Sequence, residues 1–130
     1  MATIKAAIKN KDLLFDYQNR FFKTTIEKAK KSGIEGYIFG NPYDKSRTKA
    51  YLDLLLKHKI KVFASEDDVE TKKGTSYIVP AEQPQYLMVE TFFETHKKYR
   101  DSVFYDDASW SLVNFHNRKY HPLSKLPKLA

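Results

Sequence analysis

From Lys11 to Lys31 the apolar residues recur at helical spacing. Leu14, Phe15, Phe21, Phe22, Ile26 and Ala29 fall three, four and seven apart, and Asp12, Lys23, Glu27 and Lys30 take positions between them. The spacing predicts a long amphipathic helix whose aromatic stripe belongs to the core. Ser32-Gly33 predicts its end, because glycine accepts the left-handed conformation that closes helices. "GYIFG", residues 36 to 40, is a short apolar run between glycines and reads as a buried strand. Asp44 is then placed to cap a helix, since its carboxylate can accept from free backbone N–H groups. Tyr51, Leu54, Leu55 and His58 share one face of that helix. "IKVFAS", residues 60 to 65, predicts a second strand, and "SYIVP", residues 76 to 80, a third that stops at Pro80. A further helix is expected from Gln85 to about Arg100, with Met88, Phe92, His96 and Tyr99 on one side. A short helix ending at Phe115 follows.

Strand, helix, strand in this order suggests a β-α-β unit with parallel strands. The expected fold class is therefore α/β: a single three-layer-like domain in which helices flank a small, mainly parallel sheet. Residues 1–116 form this domain. Residues 117–130 contain two prolines and no acid, and read as a basic tail or linker.

Composition narrows the picture. Hydrophobic residues make up 42% of the 130, with nine Tyr, nine Phe and one Trp, which is enough for a core and argues against global disorder. There is no cysteine, so disulfides and thiolate metal sites are excluded. No apolar run approaches the length of about 20 residues that crosses a bilayer, and the first residues lack the apolar core of a secretory signal. The formal charge is +7. Arg118, Lys119, Lys125 and Lys128 carry +4 of it, and every acid lies at or before Asp107. In the body the basic residues are interleaved with acids rather than gathered into a stripe, which argues against a nucleic-acid interface. The tail leaves a second possibility: a small basic adaptor that binds an acidic partner or nucleic acid.

A search for chemistry yields little. His58, His96, His116 and His121 lack the paired spacing of zinc-ligand motifs, so no metal ligand is assigned. The glycines at 33, 36 and 40 do not make a dinucleotide fingerprint. No phosphate-binding loop and no nucleophile elbow occurs. "YDDASW", residues 105 to 110, pairs two acids with an aromatic on either side. Adjacent carboxylates point in different directions, so a helix cap and buried rings explain the run better than a catalytic pair. No catalytic and no cofactor-binding residue is assigned.

Four blocks, in order, carry a resemblance: "GYIF" with its following helix, "IKVFAS", "GTSYIVPAEQP" and "YDDASWSL". Together they resemble a region found after the peptidase domain in large bacterial zinc carboxypeptidase-like proteins, between a carboxypeptidase A-like domain and a part similar to class I glutamine amidotransferases. Gly74, Tyr77, Val79, Gln83 and Pro84 match the third block, and Tyr105, Asp106, Trp110, Ser111 and Leu112 the fourth. Asp107 departs from an expected apolar residue and Val113 from an expected proline. The resemblance covers about residues 10 to 115. It implies a flavodoxin- or amidotransferase-like domain whose neighbours are the peptidase domain and the domain that follows it. It also implies an exported parent with zinc in its catalytic domain. No position here matches that domain's zinc ligands or its general base. Gln83, Tyr105, Asp106 and Trp110 are the residues that would line a pocket, if the domain has one.

Overall fold

In the computed structural model of the chain, the structure describes residues 1–65, 76–94 and 112–127. The elements run α1 (Ala2–Lys9), α2 (Lys11–Lys31), β1 (Gly36–Gly40), α3 (Lys45–Lys57), β2 (Phe63–Ser65), β3 (Ser76–Pro80), α4 (Tyr86–Phe93), α5 (Leu112–Phe115) and β4 (Lys119–Leu123).

The strands form one sheet in the order β2-β3-β1-β4, and every neighbouring pair is antiparallel. This corrects the expectation of a mainly parallel sheet. The crossover through α3 does return β2 in the same direction as β1, because each runs antiparallel to β3. A β-α-β unit fixes direction but not adjacency, and β3 takes the place between them. The residues read as a basic tail contribute β4, which pairs with β1 from Gly36↔Leu123 to Gly40↔Lys119. Pro122 stands in that strand opposite Tyr37. A proline is tolerated there because β4 is an edge and one missing donor can face outward.

The core lies on the face of β1 that carries Tyr37 and Phe39, since side chains alternate along a strand. Tyr51 and Leu55 of α3 and Val89, Phe92 and Phe93 of α4 pack against it. The Tyr37 and Phe93 rings stack with centroids 4.5 Å apart, and Tyr51 meets Phe39 edge-on at 5.1 Å. The Tyr51 hydroxyl donates to the Phe92 carbonyl oxygen at 3.4 Å.

Local chemistry sets the ends of the helices. Asp44 caps α3 as expected, its Oδ1 accepting from the Arg47 N–H at 3.0 Å. Gly33, at φ 73°, follows α2 in the left-handed conformation. Two further helix ends adopt that conformation without glycine. After α3, Lys59 has φ 60°; its N–H donates to Leu56 O and that of Ile60 donates to Leu55 O. After α5, Asn117 has φ 51°; its N–H donates to Asn114 O and that of Arg118 to Val113 O. Both are Schellman closures, and in the first Ile60 and Leu55 also join the core. Ile60 is thereby committed to ending a helix, so β2 begins three residues later than the alternation of "IKVFAS" implies. Helix α4 stops at Phe93, where Glu94 turns extended (ψ 140°), short of the expected Arg100.

The stripe on α2 departs most from expectation. Only Thr25 and Ala29 are buried; Leu14, Phe15, Phe21 and Phe22 are exposed. Helix α1 gives way to α2 at Asn10, which departs from helical geometry (φ −109°, ψ 20°). Asn10 N–H donates to Ala6 O and Leu14 N–H to Asn10 O, both at 3.0 Å, so one helix closes and the next opens on the same residue. The last two turns of α2 pack on the body, where Ala29 meets Ala81 and Tyr86. Ion pairs Lys28–Glu90 (3.6 Å) and Lys30–Glu82 (3.1 Å) flank that contact. The rest of α2, with α1, is an arm.

Candidate functional site

Of the four sequence-selected residues, Gln83 is described, and Tyr105, Asp106 and Trp110 lie outside the described residues. Gln83 is buried between the end of β3 and the start of α4. Its Oε1 accepts from the Lys61 N–H at 2.8 Å, and its Nε2 donates to Pro80 O at 2.6 Å. The register explains this. Phe63 pairs with Ile78, so Lys61 would next meet Pro80. Proline has no N–H to offer that rung of the ladder. The Gln83 carboxamide, one donor and one acceptor in a plane, stands in for the missing peptide group. Its polar atoms are thus engaged with backbone.

A second polar cluster escaped the sequence reading. Arg118 is buried, with Nε donating to His116 O at 2.8 Å and Nη1 to Thr48 Oγ1 at 2.7 Å. Its Nη2 donates to Asp44 Oδ2 at 3.1 Å. Thr48 Oγ1 donates in turn to Asp44 O at 2.8 Å. One aspartate therefore caps α3 and receives the guanidinium that anchors the chain entering β4. The Arg47 N–H, followed by the charges of Arg118 and Arg47, holds the Asp44 carboxyl below its usual range. Nothing in the local sequence signals this pairing, because its members stand 74 positions apart and Arg118 sits among surface-like basic residues.

The titratable groups nearest the core are shifted by burial. Tyr37 is pushed up to about 12, chiefly by desolvation and then by Tyr86 and Glu90. Burial raises Tyr51 further, and it lowers His116, with Arg118 adding to the effect. The described histidines are dispersed. His58 caps α3 and its ring meets Phe92 at 5.2 Å, His116 lies against Tyr51 at 5.3 Å, and His121 belongs to β4. Among the described residues, no three His, Asp or Glu side chains gather closely enough to hold a metal ion.

Two concavities stand out among the described residues. A cleft of about 390 Å³ between the end of α2 and the segment after β4 has Lys30, Glu35 and Glu82 in its wall. Its charges are engaged: Lys30 pairs with Glu82, and Glu35 Oε2 accepts from the Leu126 N–H at 2.8 Å. The larger one, about 590 Å³, is an apolar groove along the arm between Ala7 and Phe22. Its walls are Leu14, Phe15, Tyr17, Phe21 and Phe22, with Lys11 and Gln18 the polar exceptions. No described helix is long and apolar enough to cross a membrane. The groove's chemistry suits an apolar surface rather than a small polar substrate.

No family model, curated protein or solved structure matches this chain.

Proposed function

We propose that this chain is a non-catalytic accessory domain of a longer zinc carboxypeptidase-like polypeptide, where it has a structural and orienting role. The observation that carries the reading is the division of its surface chemistry. The buried polar side chains Gln83, Thr48 and Arg118 are engaged in internal bonds, whereas the arm presents an apolar groove of about 590 Å³. That is the character of a docking module. The sequence resemblance supplies the parent: an exported enzyme with zinc in its own catalytic domain, the peptidase domain before this one and a further domain after it. The alternative, a basic adaptor acting through residues 117–130, is less favoured, because Arg118 is inside the fold and unavailable to a partner.

The test is metal content and carboxypeptidase activity of the purified chain, measured beside the longer polypeptide. The reading expects a metal-free, inactive chain and an active parent. Stoichiometric zinc with removal of C-terminal residues by the chain itself would overturn it.

A further inference from the structure

The groove on the arm has an internal symmetry that identifies its occupant. Ile4, Ile8, Lys11, Phe15, Gln18 and Phe22 follow one another at alternating steps of four and three, the spacing of a helix-pairing stripe. Thr25 and Ala29 continue the same steps, and these two are buried against the body. From Lys11 onward the exposed stretch is therefore the continuation of a face α2 already uses for packing.

Six of the eight lining residues also pair off about a midpoint between Leu14 and Phe15. Ala7 and Phe22 are equidistant from it, as are Lys11 and Gln18. A two-fold contact is self-complementary: if residue i meets residue j, then j meets i. We propose that the arm pairs antiparallel with the arm of a second copy about this midpoint. Small Ala7 then receives large Phe22 of the other copy, and Leu14 meets Phe15. The two polar positions meet one another, so the Lys11 ammonium can donate to the Gln18 carbonyl of its mate. One polar layer of this kind selects a register, because any shift leaves it facing apolar side chains.

The area fits a concentration-dependent pair. Aromatic side chains present about 150–250 Å² when free, and Phe15, Phe21 and Phe22 remain 39–62% exposed. With Ile8 and Leu14 the paired stretch offers roughly 500 Å² per copy, at the low end of interface sizes, where association is weak and transient. Residues 1–31 carry eight basic side chains against three acids, so two arms repel and added salt strengthens their pairing. An acidic partner would show the opposite dependence.

The proposal rests on reading the arm as a docking surface and names what docks there; it does not depend on the zinc assay above. The experiment is sedimentation equilibrium of the full chain across micromolar to submillimolar concentration, at low and high salt. The expected mass approaches twice 15.3 kDa and rises with salt. The double variant Phe15→Ser/Phe22→Ser should remain monomeric with the melting of the body unchanged. The chain has no cysteine, so Lys11→Cys and Gln18→Cys can each be introduced alone. A short bis-maleimide should link a mixture of the two variants and link either one by itself poorly. A monomer at every concentration overturns the proposal. So do self-links of Gln18→Cys alone, which indicate parallel arms. Binding of the monomer to anionic vesicles through Phe15 and Phe22 overturns it too, by giving the groove to a membrane surface.

Discussion

Replacing Gln83 with methionine tests whether this residue is a latch or part of a site. Methionine keeps the length and volume of glutamine and removes both polar atoms. The Lys61 N–H loses its 2.8 Å acceptor, but Lys61 is exposed and water can replace it, so about 1 kcal/mol is lost there. The Pro80 carbonyl loses its 2.6 Å donor inside the protein, which costs about 1–2 kcal/mol. The total, about 2–3 kcal/mol, is a substantial part of the roughly 5–15 kcal/mol that holds a domain together. For a chain of this size it lowers Tm by roughly 6–15 °C, which circular dichroism or calorimetry resolves easily. Gln83→Glu sharpens the test. At neutral pH the new carboxylate can still accept from Lys61, but it cannot donate to Pro80 O and repels it. Its pKa in the folded state is therefore raised, and this variant should recover stability as pH falls through that raised value. A melting temperature of Gln83→Met within about 1 °C of the parent's, a few tenths of a kcal/mol, would refute the account of a side chain standing in for a peptide group.

Three further outcomes follow from particular contacts. Lys59→Gly should stabilise the chain by about 0.5–1 kcal/mol, because Lys59 holds φ 60° at a helix closure where glycine is unstrained; denaturant titration checks this. Arg118→Met should destabilise the fold and raise the pKa of the Asp44 carboxyl toward the ordinary aspartate range, a change readable by NMR titration; an unmoved pKa would mean that the guanidinium contributes nothing at Asp44. Stability should fall at both ends of the pH range. Tyr37, whose folded pKa of about 12 lies above the ordinary value near 10, keeps its contribution below pH ~10 and loses it as pH rises toward 12. His116 and Asp44 are both lowered, so their contributions are present above the ordinary values, about 6.5 and 3.9, and are lost as pH falls below each in turn. Melting curves across pH, with Tyr37→Phe and His116→Gln as controls, separate the three groups.

Much of the local structure was legible because its causes are local. Asp44, Ser32-Gly33 and the apolar runs at 36–40 and 76–80 act within a few residues, and each element they predict is present. The parallel sheet failed because strand direction is a local consequence of one crossover, whereas the neighbour of β1 is decided by β3 and β4, well over thirty residues away. Strand β4 was illegible for a related reason: "KYHPL" has little alternation, and its place depends on an edge beside Tyr37 and on Arg118 reaching Asp44. The arm shows a third limit. Helical spacing tells which side of α2 is apolar but not what covers it. Of the candidate pocket residues, Gln83 was singled out through the family resemblance as one that would line a pocket, and the proline-broken ladder that explains its bonds appears only once the register is known.

The position of β1 also bears on how the chain folds as it is made. "GYIFG" is apolar throughout, and it is flanked by β3 on one side and β4 on the other. Its second neighbour, Lys119–Leu123, leaves the ribosome more than seventy residues after it. At synthesis rates of about 5–20 residues per second, that interval is on the order of ten seconds or less. During it one side of an aromatic, β-prone strand offers unpaired backbone groups to any similar strand nearby. A nascent chain cut short before Arg118 would keep that exposure permanently. Residues 119–123, polar and broken by Pro122, thus act as the seal that keeps this strand from templating aggregation.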